Sequence, residues 1–582
     1  MFEDIPRPWL DHYDEDVRPH IEYEHLPVFG YVMRSAKKYP DRMAVIFQNK
    51  KISYKKLNYL TDLIATNLRK QGIKKGDKVA IMLPNLPQTI ITYFGVLKAG
   101  AIAVMTNPLY MEKELTHHLG DSESRFLIAL DRLWPKLESL LPKFSLEKIF
   151  FTSISESLSF PLNLLYPIKA RREGTYIKVP YNGKNILKWK SLLKKTAVRE
   201  PEYIDPSSDL ALLQYTGGTT GFPKGVMLTH DNLTANIQQA AEVLNNIGGE
   251  RHEVFLSLLP FFHVYGITVC LNLPTLLGAT TIPYPQFVPQ EVLKAIHKYR
   301  PTIFPSTPAI FKVLLQQKNI NQFDLTSINY CVTGSAPMPK ELSKKFKEIT
   351  GAEIIEGFGL TEASPITHLN PLKGKKKIGS IGLPFPDTDA AIVDTKTGTK
   401  LLPLNEPGEL IIKGPQVMKG YWKKPEETKK TLKNGWLYTG DIAYMDEEGY
   451  FFIVDRKKDL IISAGYNIYP REIEEVLYEH PKVADAAVIG VSHKTRGEIV
   501  KAYIVPKPGV TLNKREIISF CRQKLANYKV PRQIEIRDEL PKTIIGKVLK
   551  KELRKELDNK ALTEDDLDFK EDDRGNENKK HT

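Results

Sequence analysis

The chain has 582 residues, 42% hydrophobic, 9% aromatic and 26% charged, a balance that supports a sizeable core and excludes disordered, collagen-like and small disulfide-stapled architectures. Its three cysteines, Cys270, Cys331 and Cys521, show no CxxC spacing, which excludes a disulfide framework and a cysteine zinc site and predicts an intracellular protein. Lysine plus arginine, 83, against aspartate plus glutamate, 69, gives +14, a field that attracts polyanions without choosing among nucleic acid, anionic lipid and phosphate-rich small molecules.

Met1 is followed by Phe2, Glu3 and Asp4 rather than by basic residues and an apolar run, so no secretory leader is predicted. No window reaches about 18 uninterrupted apolar residues, so no membrane span is predicted either. The expectation is a cytoplasmic protein; peripheral contact with the inner face of a membrane and a homodimer are both compatible with the sequence. From Lys78 short apolar runs alternate with helical patterns: KVAIMLPN, TIITYFGVLKAG, AIAVMTNP, RFLIAL and KIFFTS. That order predicts an α/β layered fold with largely parallel strands. Residues 153–179, SISESLSFPLNLLYPIKARREGTYIKV, read as a surface excursion with membrane-surface contact as the lesser reading. The α/β pattern resumes from Asp209 to Glu356, and after Gly379 shorter runs broken by Gly and Pro predict a β-rich subdomain. From Lys458 the runs DLIIS, PREIEEVLYEH, DAAVIGV, VKAYIVP and QIEIRD, with a last basic helix from Gly546 to Leu557, predict a compact α+β unit. The expected boundaries are a large domain over 1–457, a small one over 458–560, and a disordered charged tail over 561–582, which has almost no apolar content.

The sharpest chemical feature is YTGGTTGFPKG, Tyr215 to Gly225. Its hydroxyls Thr216, Thr219 and Thr220, its glycines Gly217, Gly218 and Gly221, and Lys224 suit a polyphosphate: glycine lets backbone N–H groups approach an anion, and the lysine adds a point charge. No glycine precedes Lys224 and no serine or threonine follows it, so the P-loop mechanism does not transfer. A flexible linker would need no fixed Thr, Pro and Lys among its glycines.

At this loop the chain resembles the adenylate-forming enzymes, whose signature is a Thr/Ser/Gly-rich loop ending in Pro-Lys-Gly. EGFGLTEASP, from Glu356 through Gly357 to Pro365, is similar to that family's second core motif. The resemblance implies that Phe358 stacks on adenine, Thr361 contacts the α-phosphate and Glu362 holds Mg2+, a hard cation suited to one carboxylate plus phosphates. Gly334, Ser335, Ala336 and Pro337 resemble the adenine-pocket segment; Asp441 in YTGD resembles the residue accepting the ribose hydroxyls, Arg456 a second ribose contact, and Lys458 the hinge. Taken alone, an Asp or Arg in such contexts is more often half of a structural ion pair. His263 in LPFFHVYG resembles the histidine beside the acyl pocket, with a gating or positioning role, since carboxylates are already ionised at neutral pH. Lys547 in PKTIIGKVLK resembles the mobile-domain lysine bridging carboxylate and α-phosphate. In SAGYNIYPREIE, Gly465 and Tyr466 resemble the loop that admits the pantetheine arm of coenzyme A.

The resemblance runs from about Leu26 to about Leu557. It implies a large N-terminal adenylate-forming domain of α/β layers with a β-rich subdomain, a small mobile α+β C-terminal domain, and ligation of a medium- or long-chain fatty acid to coenzyme A at the expense of ATP. NGWLYTGDIAYMDEEGYFFIVDRKKDLIIS looks like the fatty-acyl-CoA ligase signature, and VYGITVCLNLPTLLG lacks the charge that amino-acid-activating relatives use to hold an amine. The rivals are a fatty-acyl-AMP ligase, another acid–CoA ligase, and a basic nucleotide- or nucleic-acid-binding protein without catalysis. Against the last, no basic stripe interleaved with aromatics is visible, and GKKKIG and LKKELRKEL read as a loop and a solvated helix face.

Overall fold

Apolar runs flanked by helices fold into an eight-stranded sheet, seen here in a computed structural model that describes residues 2, 5–216, 223–244, 252–334, 338–463, 466–493, 495–543 and 546–559. In chain order its first strands are β1 (Lys78–Met82), β2 (Ile102–Met105), β3 (Phe126–Leu130), β4 (Lys148–Thr152), β5 (Ile186–Lys188), β6 (Leu210–Thr216) and β7 (Lys224–Thr229). Between them run α1 (Pro87–Lys98), α2 (Glu112–Ser122) and α3 (Leu162–Arg172); α4 (His230–Val243) follows β7. Strands β1 to β6 pair in parallel in the order β6-β2-β1-β3-β4-β5. Helices cover such a sheet, so its strands are apolar throughout: Ala80, Ile81, Met82, Leu127, Ile128 and Ala129 are all fully buried.

Strands β8 (Tyr330–Thr333), β9 (Glu353–Gly359) and β10 (Ile366–Leu369) belong to a second sheet, in which β9 pairs parallel to β8 and antiparallel to β10. A third sheet carries β12 (Trp436–Met445) and β13 (Phe451–Arg456) after β11 (Gly420–Tyr421), which joins the edge of the first sheet on β7. The expected α/β body and the β-rich stretch after Gly379 are both present.

The chain divides into two compact units. The larger takes the described residues of Met1–Glu406, Leu410–Thr439 and Tyr444–Phe452; the smaller takes Pro407–Glu409, Gly440–Ala443 and the described residues from Ile453 onward. The smaller unit holds β14 (Ile461–Ser463), β15 (Tyr466–Ile468), α5 (Pro470–Glu479), β16 (Val483–His493), β17 (Gly497–Pro506), α6 (Lys514–Lys524), β18 (Gln533–Ile536) and α7 (Lys550–Asn559). Its core is a sheet in the order β15-β14-β17-β16, with β18 parallel to β17, packed by Ile461, Ile473, Leu477, Val488 and Ile517. Among the described residues no helix is long and apolar enough to cross a membrane.

Candidate active site

The loop residues Gly217, Gly218, Thr219, Thr220 and Gly221 lie outside the described residues, as do Ser335, Ala336, Pro337 and Gly465. The frame around the first of these is described in full. Strand β6 ends at Thr216 and antiparallel β7 begins at Lys224, its Cα partner in the ladder, so the loop joins the two strands of a hairpin. A second strand stands between the loop and the helix that follows, because Val226 and Leu228 alternate into the core, both fully buried. Only then does α4 start, capped by Thr229, whose hydroxyl accepts from the Asn232 N–H while the Asn232 side chain accepts from the Thr229 N–H.

Helix α2 grips both ends of this hairpin tip. On the entering side, the Tyr215 hydroxyl donates to the Asp121 carboxylate at 2.6 Å, and the His118 ring lies 4.2 Å from the Tyr215 ring. Burial, reinforced by Asp121, keeps the Tyr215 phenol protonated. Burial also pushes His118 down to about 3, so that ring is a neutral packing element. On the leaving side, His117 Nε2 donates to the Pro223 carbonyl at 2.9 Å. The Trp422 indole donates to the Asp121 carbonyl at 3.0 Å. None of these roles was visible in EKELTHHLGDS, which reads as an ordinary solvated helix. His117→Ala is expected to raise the KM for ATP about tenfold, the size of one hydrogen bond that fixes a binding loop, with kcat and the thermal midpoint little changed. Steady-state kinetics with ATP varied checks this, and His117→Gln, which keeps an N–H donor, should recover most of the loss.

At the start of β7 four side chains meet, two predicted, Lys224 and Glu362, and two not, Tyr421 and Glu427. Lys224 Nζ pairs with Glu427 Oε2 at 2.6 Å and lies 4.9 Å from the centre of the Tyr421 ring. The Tyr421 hydroxyl donates to Glu362 Oε1 at 2.8 Å, and the Met418 N–H donates to the Glu362 carbonyl at 2.8 Å. Burial first, and the Glu362 carboxylate second, hold the Tyr421 phenol protonated, so it stays a donor. Lys224 holds the Glu427 carboxyl below its ordinary range. Tyr421 and Glu427 escaped the sequence reading; β11 pairs Tyr421 with Val226 and so carries it to the loop. Thr361 and Glu362 sit on a single 3-10 turn, Thr361–Ala363, directly after β9. Among the described residues no three His, Cys, Asp or Glu side chains converge. A cation at Glu362 would therefore draw one carboxylate from the protein and the rest of its ligands from a bound nucleotide, and that hard oxygen donor fits Mg2+.

Glu356, Gly357 and Phe358 lie on β9, where Thr333 is the Cα partner of Glu356 and Phe358 faces His368 across the ladder with ring centres 6.1 Å apart. Gly334 follows β8, and a Cβ placed on it would lie 3.4 Å from the Gly357 carbonyl and 3.8 Å from the Tyr265 ring. The His263 segment therefore borders the same strand ends. His263 itself caps the short helix Val264–Ile267, its Nδ1 accepting from the Tyr265 N–H at 3.2 Å. Two buried amides aim this segment. Asn85 donates to the Ser257 and Leu259 carbonyls and accepts from the Phe261 N–H, and Gln214, two residues before Thr216, donates to the Phe262 carbonyl at 2.9 Å. Gly266 completes the bend: any Cβ there would sit 2.1 Å from the Pro260 carbonyl oxygen.

The smaller unit collects the other predicted residues. Asp441, on β12, is almost fully buried and takes the Arg456 guanidinium at the end of β13, Nε to Oδ1 2.8 Å. Lys547 lies within the field of this pair. The Arg456 charge, with burial second, lowers Lys547 to about 8 against the opposing pull of Asp441. Lys458 is also lowered to about 8, by burial first and Arg456 next. The Lys547 N–H is fixed by the Thr543 hydroxyl at 3.1 Å, and Gly546 takes φ +82° to turn the chain just before it. Tyr466, at the start of β15, stacks on Tyr528 with ring centres 4.6 Å apart. The structure thus groups Thr216, Lys224, Gly334, Glu356, Gly357, Phe358, Thr361, Glu362 and His263 in one unit and Asp441, Arg456, Lys458, Tyr466 and Lys547 in the other.

Comparison with known proteins gives this arrangement its context. The family model described as AMP-binding enzyme matches residues 32–422, and the model for the AMP-binding enzyme C-terminal domain matches residues 472–547. A long-chain-fatty-acid–CoA ligase of Bacillus subtilis is 47% identical over 94% of this chain and 98% of its own, and one of Escherichia coli is 38% identical over 95% and 99%. Among solved structures, the anthranilate CoA ligase AuaEII in complex with anthranoyl-AMP has a TM-score of 0.80 at 27% identity, covering 92% of this chain and 98% of that one. ATP-bound MatB from Rhodopseudomonas palustris has a TM-score of 0.78 at 27% identity over 91% and 99%. With its loop strands, its core-motif turn and its separate C-terminal unit in the family's order, the chain belongs to the AMP-binding, adenylate-forming enzymes.

Proposed function

We propose that this enzyme joins a medium- to long-chain fatty acid to coenzyme A through an acyl-adenylate, releasing AMP and pyrophosphate. The observation that carries the reading is the Lys224–Tyr421–Glu362 chain at the start of β7, which offers a cation and an oriented carboxylate next to a loop whose sequence is rich in glycine and threonine. The names of the relatives supply the substrate class, and the apolar stretch after His263, with no acidic residue in VYGITVCLNLPTLLG, agrees with it.

In the first half-reaction a fatty-acid carboxylate oxygen bonds to the α-phosphorus as the bond to the bridging β-phosphate oxygen breaks and pyrophosphate departs. Lys224 and the loop from Thr216 hold the leaving phosphates, Thr361 donates to the α-phosphate, and Lys547 neutralises charge between carboxylate and α-phosphate. Glu362 is the residue that would hold Mg2+, which when bound supplies charge neutralisation on the phosphates. Phe358 and the Gly334–Pro337 segment hold adenine, Asp441 accepts from the ribose hydroxyls, and Arg456 is its partner there. His263 guards the acyl side. In the second half-reaction the coenzyme A thiol, entering past Gly465 and Tyr466, bonds to the acyl carbon, its proton goes to solvent, and AMP leaves with the bonding pair. No protein nucleophile is required, since the mixed anhydride is already activated. We read residues 1–457 as the large AMP-binding domain, Lys458 as the hinge and 458–560 as the mobile domain; the tail expected over 561–582 lies outside the described residues.

The test is product analysis with ATP, Mg2+, coenzyme A and straight-chain acids of graded length. AMP and pyrophosphate should form, with kcat/KM rising from acetate toward medium and long chains. ADP with orthophosphate, or acetate as the best substrate, would overturn the reading.

A further inference from the structure

Residues 153–179 take no part in the chemistry above, yet they carry the most concentrated exposed apolar surface of the larger unit. Phe160, Leu162, Leu164, Leu165 and Ile168 expose 78%, 42%, 60%, 52% and 49% of their surfaces. Single exposed leucines need no explanation, but a contiguous cluster of large apolar side chains marks an interaction site. Helix α3 presents it. Leu165 and Ile168 are three apart, and Ile168 and Arg172 four apart, so one face runs from apolar at its N-terminal end to basic at its last turn. That last turn holds Lys169, Arg171 and Arg172, all exposed.

The opposite side of α3 is committed to the protein. Ala170 is buried, the helix packs on the turn Ile154–Ser157, and the Arg132 guanidinium lies over the Tyr166 ring at 5.5 Å. The apolar residues therefore point away from a helix already anchored from beneath. The aromatic Tyr176, 44% exposed, stands beside the basic turn with the Arg171 guanidinium 4.6 Å from its ring centre. Basic groups at a helix C-terminus complement the helix dipole, but this accounts for the charges and not for five apolar side chains in water. Apolar residues that can enter an acyl boundary, basic residues at the next turn and a flanking tyrosine form the layout of an interfacial helix. The opposite signs of this basic turn and of anionic headgroups choose the occupant.

We propose that Phe160 and the exposed face of α3 form a docking surface for an anionic phospholipid bilayer, with Leu164, Leu165 and Ile168 entering the acyl boundary and Lys169, Arg171 and Arg172 contacting phosphate headgroups. The surface is a property of the chain separate from the ligase reading, although a bilayer is where a long-chain acid dissolves.

Flotation of the full chain with vesicles tests it, using phosphatidylcholine alone and equal parts phosphatidylcholine and phosphatidylglycerol. The parent should float with the mixed vesicles and much less with the neutral ones, and added salt should weaken the binding. Lys169→Gln with Arg171→Gln and Arg172→Gln should weaken binding to mixed vesicles about a hundredfold and abolish the salt effect. Leu164→Asp with Leu165→Asp should also remove binding; all these side chains are exposed, so both variants should fold, and circular dichroism verifies that they do. Each should make acyl-CoA from a water-soluble medium-chain acid at the parent rate. No flotation of the parent, flotation unchanged in both variants, or a dimer that the leucine variant splits without any vesicle binding would each overturn the proposal. A parent that floats but forms no acyl-CoA would overturn the ligase reading and leave the docking surface standing.

Discussion

Lys547→Ala is expected to lower fatty-acid-dependent pyrophosphate–ATP exchange by about a hundredfold or more, while thioester formation from supplied acyl-adenylate survives. The cation is needed only while two anions, carboxylate and α-phosphate, approach each other. The structure adds a pH signature. In the free protein Lys547 is poised at about 8, lowered first by the Arg456 charge and then by burial, with Lys458 adding to them and Asp441 and Asp459 opposing. The ammonium is thus formed well below pH 8, is half lost near that value and is lost as the pH rises through it. The sign follows: kcat/KM for ATP, which reports the free enzyme, should fall above about pH 8, and kcat should hold to higher pH because bound phosphate stabilises the ammonium. Lys458 is also poised at about 8, so the assignment needs a control. Lys547→Arg, whose guanidinium stays charged throughout, should move the alkaline limb upward if Lys547 owns it. An unchanged limb in that variant, or equal loss of both half-reactions in Lys547→Ala, would remove Lys547 from adenylation.

The chemistry of this fold was legible where it is local in sequence. Glycines, threonines and a lysine within eleven residues, or Thr361 beside Glu362, announce themselves because one backbone segment holds them all. The parallel strands from Lys78 to Thr152 were equally plain, since a sheet covered by helices leaves uninterrupted apolar runs. What stayed hidden depends on pairing at long range. Tyr421 orients Glu362 across 59 positions, and only the register of β11 against β7 brings it there. His117 and Asp121 face the hairpin tip from α2 with nothing in their own helix to distinguish them from solvated residues. Asn85 and Gln214 act by satisfying carbonyls in the core, a role that amide side chains do not signal in sequence. Strand β7 was missed because GVMLT is short and merges into the pattern of α4. For Asp441 and Arg456 the modest reading is the one observed: they form an ion pair, and a buried carboxylate oriented by an arginine leaves the proposed ribose role chemically open.

Glu362→Gln is expected to cost about a hundred- to a thousandfold in kcat for adenylation, comparable to losing one preorganised electrostatic contact at a phosphoryl centre. The substitution is nearly isosteric, and the Tyr421 hydroxyl that donates to Glu362 Oε1 can donate equally to the amide oxygen, so the turn at Thr361–Ala363 should keep its shape. The loss would then be electrostatic. Tyr421→Phe isolates the orienting part: the carboxylate keeps its charge but loses its fixed donor, which should cost about tenfold, the range of one hydrogen bond to a charged group. If the phenol acts only by aiming the carboxylate, the two losses should not add, and Tyr421→Phe should cost almost nothing in the Glu362→Gln background. The readout that separates a metal ligand from a structural residue is the Mg2+ titration at saturating ATP. Glu362→Gln should need markedly more Mg2+ for half-maximal exchange, and Tyr421→Phe only slightly more. A Glu362→Gln enzyme with normal Mg2+ dependence would show that the carboxylate serves the fold through Tyr421 alone, and the Mg2+ assignment would have to leave this turn.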